Sequence, residues 1–200
     1  MFALLGGDKA AVKKLDAMFD FDNSKIDYSH AEDIAGLIGQ YIHGNEPSHH
    51  VAYLYNFTGQ PWRTQERLQQ IVESQYKTGP EGLSGNDDLG QMSSWLVFTS
   101  LGFYPVAPGS NQYVLGRPFV NRAALTLPNG KRFTVLAEGL SDANRYVGKV
   151  MLNGKTLDRS YITHDELTAG GELRFTMQAR PNKSRATSRA ARPFSTSTTR

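Results

Sequence analysis

Apolar residues recur at helical spacing through roughly the first hundred positions and at strand spacing afterwards, with the change near residue 105. Ala11, Val12, Leu15, Met18 and Phe19 fall on one face at successive turns, the stripe of an amphipathic helix. The same period predicts helices through Ile34, Ala35, Leu37, Ile38, Tyr41 and Ile42, and through Val51, Ala52, Leu54, Tyr55 and Phe57. Leu68, Ile71, Val72 and Tyr76 make a narrower stripe, that of a helix with one wet face. Leu89, Met92, Trp95, Leu96 and Leu101 follow, with Val97 and Phe98 filling the other side. That last segment and residues 47–57 are apolar nearly all round, which predicts burial on several sides. Short Gly/Asn/Pro turns separate these stretches, as expected of helical hairpins in an array or barrel.

Beyond Gly102-Phe103-Tyr104-Pro105 the signals are those of short strands: Tyr113-Val114-Leu115, then Phe119 to Leu127, Phe133 to Ala137, Val147 to Leu152 and Leu173 to Met177. Pro128-Asn129-Gly130 and Asn153-Gly154-Lys155 read as hairpin turns. The predicted fold class is α+β, with an α-helical part over residues 1–105, an antiparallel β module over 106–179, and a basic, flexible tail over 180–200. The chain opens within a helical pattern, and this suggests a piece of a longer protein.

Composition narrows the chemistry. The chain is 39% hydrophobic with 10% aromatic residues and 19 glycines, enough for a sizeable core. No run of about 18 apolar residues is present, so no membrane-spanning helix is expected. The start, Met1-Phe2-Ala3-Leu4-Leu5, lacks the basic and apolar regions of a secretory signal. The absence of cysteine removes disulfides, thiolate-bound metals and thiol nucleophiles. Net charge is +3, but Arg180, Lys183, Arg185, Arg189, Arg192 and Arg200 all lie in the tail, leaving 16 basic against 19 acidic side chains in the body. A slightly acidic body without a basic stripe argues against a nucleic-acid partner.

Two loops concentrate the polar chemistry. In His43-Gly44-Asn45-Glu46-Pro47-Ser48-His49-His50, Gly44 ends one predicted helix and Pro47 suits the first turn of the next. In Gly82-Leu83-Ser84-Gly85-Asn86-Asp87-Asp88-Leu89-Gly90, a glycine-rich loop again delivers carboxylates to a helix start. A carboxylate at a helix N-terminus is held ionised. Both loops are thus suited to bind a hard cation or activate water, and unsuited to protonate a leaving group. Oxygen donors without cysteine favour Ca²⁺ or Mg²⁺ over zinc. The plain alternative is that Asp87 and Asp88 are helix caps. His49 and His50 diverge by about 100° on a helix, so one of them is expected to be structural. His43, Glu46 and His49 imitate a metal triad, but Pro47 interrupts the helix and HExxH is absent. Trp95 and Phe98 read as packing. Asn56-Phe57-Thr58 and Asn182-Lys183-Ser184 fit the N-glycosylation pattern, although Asn56 sits on a helix expected to be buried.

These segments, together with Tyr53-Leu54-Tyr55-Asn56, Gly59-Gln60-Pro61-Trp62, Gly90-Gln91-Met92-Ser93-Ser94-Trp95 and Leu101-Gly102-Phe103-Tyr104-Pro105, resemble glycoside hydrolase family 92. The resemblance covers residues 8–179. It implies an inverting, Ca²⁺-dependent exo-α-mannosidase, α-1,2-type, acting on mannose-containing glycans, with residues 1–105 as part of an (α/α)6 barrel. It implies Asp88 as general base supported by Asp87, with His43, Asn45, His49 and Asn86 contacting substrate and Glu46, Asn45 and Asp88 holding Ca²⁺. The family's general acid, a glutamate, is expected upstream of Met1, so an N-terminal portion is needed to complete the site. Glu138 and Glu166 lie in the β module and are poor replacements. The family is often exported, which leaves the compartment of this chain open. The alternative reading is a noncatalytic carbohydrate- or calcium-binding remnant.

Overall fold

The computed structural model describes residues 2–24, 26–28 and 34–195. Helix α1 spans Asp8–Phe19 and buries Ala11, Val12, Leu15 and Phe19, the face expected from their spacing. The helix expected over 34–42 is instead a small hairpin of β1, Leu37–Ile38, and β2, Tyr41–Ile42. Gly39 explains the difference. It turns the chain at φ +60°, and its Cα lies so close to α1 that a Cβ would sit 2.4 Å from the Met18 carbonyl oxygen. Residues 46–58 wind more tightly than an α-helix, as 3-10 turns over Glu46–Ser48 and Val51–Thr58. Within the second, Asn56 Nδ2 and Thr58 Oγ1 each donate to the carbonyl three residues back, a local bonding pattern that competes with α-helical pairing.

Helix α2, Pro61–Gln75, lays Leu68 and Ile71 on this layer, and α3, Gln91–Ser100, inserts Met92 and Trp95. Arg63 and Arg67 of α2 pair with Asp16 of α1 and with Asp20 just past its end, at 2.9 and 2.8 Å. Together these elements enclose a core that contains Phe19, Tyr41, Tyr53, Tyr55, Leu68 and Trp95.

The chain then enters β structure: β3, Phe103–Tyr104; β4, Gln112–Leu115; β5, Arg122–Thr126; β6, Arg132–Glu138; β7, Tyr146–Leu152; β8, Lys155–Thr156; and β9, Tyr161–Thr163. A short helix α4, His164–Thr168, is closed by a capping box between Thr163 and Glu166 and leads to β10, Gly171–Gln178. One sheet has the order β5-β6-β10-β7-β8 and another β3-β4-β9. The module is mixed, which corrects the expectation of an antiparallel one: β10 runs parallel to β6 and antiparallel to β7. Hairpin-joined strands must be antiparallel, but β10 arrives through β9 and α4 and is free of that constraint. Alternation buries Phe133, Val135 and Ala137 on β6 and Leu173, Phe175 and Met177 on β10, each large side chain contributing roughly 1.5–3 kcal/mol.

The two parts are bolted together. Gln65 Oε1 of α2 accepts from the Val147 amide of β7 at 3.0 Å, and Tyr146 Oη donates to Glu66 at 3.1 Å. The segment expected to be a flexible tail is packed through Ser195. Arg192 pairs with Asp8 at 2.7 Å, Ser160 N donates to the Ala191 carbonyl at 2.8 Å, and Arg185 and Ala191 are buried. Composition misleads there because its anchors are distant in sequence. Residues 196–200 of that tail lie outside the described residues.

Candidate active site

The two loops singled out in the sequence meet in space. The first carries His43 to His49 and follows β2; the second, residues 77–90, joins α2 to α3. Their backbones touch at Gly44, where a Cβ would lie 2.8 Å from the Ser84 carbonyl oxygen. Across this junction the Glu46 carboxyl adjoins that of Asp88 and, by hydrogen bonding to its protonated form and by its own charge, raises the Asp88 carboxyl above the usual aspartate range. Asp88 is exposed, as are Asn45 and Asn86, and Glu46 is half-buried. The acidic oxygens thus converge at a surface open to a ligand.

Asp87 and Asp88 do different work. Asp87 Oδ1 accepts from the Ser93 amide at 2.9 Å, and its carbonyl accepts from Met92 N at 3.1 Å. That is a cap on the exposed amides of α3, with the carboxylate fixed facing the helix. Asp88 and Leu89 follow in left-handed backbone, at φ +51° and +57°, and Gly90 completes the turn at φ +90°. Aspartate tolerates this region, but leucine does so at a cost. Leu89 is also fully exposed. This strained turn directs Asp88 away from the helix that Asp87 caps.

His43 and His49, expected to contact substrate, lie beneath the surface instead, at 0% and 1% exposure. Every ring nitrogen has a protein partner. Tyr76 Oη donates to the Met92 carbonyl at 3.0 Å, so at 2.7 Å it accepts from His43 Nε2–H; His43 Nδ1 then accepts from Tyr41 Oη at 2.8 Å. His49 Nε2–H donates to the His43 carbonyl at 2.9 Å, and Nδ1 accepts from Gln91 Nε2 at 3.0 Å. Gln91 also reaches Tyr104 Oη at 3.1 Å, and Trp95 Nε1 donates to the His49 carbonyl at 3.0 Å. Burial, reinforced by His49, lowers His43 to a pKa of about 3; burial likewise lowers His49. Both rings are neutral, and each ring nitrogen is bonded to a protein partner. Tyr76 and Gln91, which sequence reading overlooked as site residues, are the partners that hold them. Their types are unremarkable in a helix, and only the fold brings them to the histidines.

The donors at this junction are all oxygens. Glu46 and Asp88 supply paired carboxylate oxygens and Asn45 an exposed amide oxygen at the same loop. Oxygen-only ligands of this kind suit Ca²⁺. Among the described residues no group of three or more His, Cys, Asp or Glu side chains is arranged to hold a metal ion, so an ion at Glu46 and Asp88 would depend on water or substrate oxygens. The other acids weighed above are occupied. Glu166 pairs with Arg159 at 2.5 Å and closes the α4 cap, and Glu138 pairs with Arg174.

Comparison with known proteins shows what the whole chain is similar to. The chain is 45% identical, at a TM-score of 0.89, to a family 92 α-mannosidase from Bacteroides thetaiotaomicron solved with mannoimidazole, matching 95% of this chain and 25% of that one. A family 92 inverting mannosidase from the same organism matches at 39% identity and a TM-score of 0.84, over 98% of this chain and 27% of its own. An uncharacterised secreted glycosidase of Arthroderma benhamiae is 34% identical over 157 residues, covering 77% of this chain and 20% of the relative. The chain therefore spans about a quarter or less of the length of these proteins. Residues 1–179 match the glycosyl hydrolase family 92 catalytic domain, and with the folded carboxylate junction and these relatives the conclusion is direct: this chain belongs to that family.

Proposed function

We propose that this chain forms the base-and-cation side of an α-mannosidase active site that hydrolyses terminal α-mannosides with inversion, and that residues 1–105 are part of an (α/α)6 barrel. The observation that carries the reading is the Glu46–Asp88 contact, which joins two carboxyls from separate loops at an open surface. Carboxyls in contact are too close to be the acid and base of an inverting pair, which stand about 6.5–9.5 Å apart to admit water. The pair is consequently one functional unit, with the acid supplied from elsewhere.

In this reading Asp88 accepts the proton of the attacking water. The cap made by Asp87 fixes its backbone. Glu46, Asn45 and Asp88 are the residues that would hold Ca²⁺. Bound there, Ca²⁺ would orient sugar hydroxyls and offset the repulsion between the two carboxylates. Asn86, exposed beside Asp87, would contact the sugar. An α-1,2 linkage preference follows from the family resemblance.

The test is mannose release from an α-mannoside, with Ca²⁺ or chelator, by a polypeptide of the relatives' length carrying this segment. Asp88→Asn should lower kcat by roughly 10²-fold or more, the scale of a lost general base. Normal turnover would refute the assignment. Ca²⁺ and mannose binding without hydrolysis by the unaltered polypeptide would favour a noncatalytic binding remnant.

A further inference from the structure

The histidines below the carboxylate junction are held by one hydroxyl that touches three segments. Tyr76 follows α2 and is bridged through its backbone to Leu83, while Lys77 N donates to the Gly82 carbonyl at 2.8 Å. Its side chain therefore grows from the base of the loop that carries Asp88. Its hydroxyl donates to the Met92 carbonyl in the first turn of α3 and accepts from His43 Nε2–H, one residue before Gly44. The ring stacks on Trp95 with 3° between planes and centroids 5.9 Å apart.

We propose that Tyr76 is a positioning residue whose hydroxyl sets the register between the Glu46 loop and the Asp87–Asp88 loop. The proposal rests on the reading of that junction as the cation-and-base site, and adds a residue that touches neither substrate nor cation. Other links join the same segments, but none of them ties His43, the base of the loop that carries Asp88, and α3 through one atom. On one side they meet at Gly44 and Ser84, where contact is repulsive packing and sets only a minimum distance. On the other, the path from His43 to α3 runs through Tyr76, with the His49–Gln91 bond and the Trp95 Nε1 bond to the His49 carbonyl tying the neighbouring turn to the same helix. Removing the hydroxyl severs two bonds at once, because His43 loses its acceptor and Met92 its donor. The stacked ring remains, so packing against Trp95 is retained.

Tyr76→Phe is the perturbation, and Tyr53→Phe is its matched control. Tyr53 loses a comparable buried bond, to Thr99 Oγ1 at 2.9 Å, in the same core but away from both loops. Calorimetric titration of the 200-residue chain with Ca²⁺ should show Tyr76→Phe binding about 10-fold more weakly, the scale of losing an outer-shell partner, and Tyr53→Phe binding as the unaltered chain does. Amide hydrogen exchange without cation should quicken within residues 44–50 and 87–93 for Tyr76→Phe alone. Equal affinity and equal exchange in the two variants would overturn the proposal. Glu46→Gln separates it from the reading beneath: unchanged Ca²⁺ affinity in that variant removes the cation site. The exchange measurement decides the role of Tyr76 even where the unaltered chain takes up no Ca²⁺.

Discussion

Acidification places a defined load on the histidine core. Folding transfers His43 from water, where its imidazole has a pKa near 6.5, to a buried position where burial and the adjacent His49 bring it to about 3. A depressed folded value means the unfolded chain binds the proton first. The stability contributed by neutral His43 is therefore complete above about pH 6.5 and is lost as pH falls toward 3. One pKa unit corresponds to about 1.4 kcal/mol, so the full window amounts to roughly 5 kcal/mol, of which about 2 kcal/mol is lost between pH 7 and pH 5. His49 is lowered as well and adds to the slope in the same direction. Urea unfolding from pH 7 to pH 5, in chelator to keep cations from the neighbouring carboxylates, measures this directly. His43→Gln offers an amide that can accept from Tyr41 and donate to Tyr76 but does not titrate, so its stability should fall by about 2 kcal/mol less over that interval. Parallel pH dependences for the unaltered chain and His43→Gln would refute the assignment of a buried, neutral imidazole.

Two further outcomes are expected. Asp87→Ala should lower stability by about 1 kcal/mol through loss of the cap on the Ser93 amide, read as a shift in the urea midpoint, whereas Asp87→Asn keeps an acceptor there and should lose less. Neither sequon should carry a glycan in a glycosylating host: Asn56 is fully buried with its amide donating to Thr64, and the Asn182 amide donates to the Gly148 carbonyl while its oxygen accepts from Ser184 and Arg185. Mass spectrometry before and after glycosidase treatment decides this, and a mass change at either asparagine would contradict the packing.

What the sequence made legible was local or periodic. The strand through Phe133–Ala137 shows the alternation that a half-buried sheet demands, and α2 shows its stripe at Leu68 and Ile71. Between Ile34 and Ile42 the apolar positions satisfy both a helix and a hairpin, and only the approach of Gly39 to α1 decides between them. The acidic loops were visible as motifs because turn chemistry is local. The burial of His43 was hidden, since its partner Tyr76 lies 33 residues away and no short-range pattern encodes that meeting. The C-terminal segment reads as solvent-loving by composition, yet Arg192 finds Asp8 across 184 positions.

The place of β10 bears on how the protein is made. The strand synthesised last fills the middle of its sheet, so β6 and β7 emerge from the ribosome with facing edges that nothing yet joins. Between the end of β6 at Glu138 and the start of β10 at Gly171, translation at about 5–20 residues per second leaves that gap open for roughly 2–7 s. Unpaired edges of this kind invite intermolecular pairing. Nascent chains stalled before Gly171 should therefore be far more prone to aggregate than those released after Gln178.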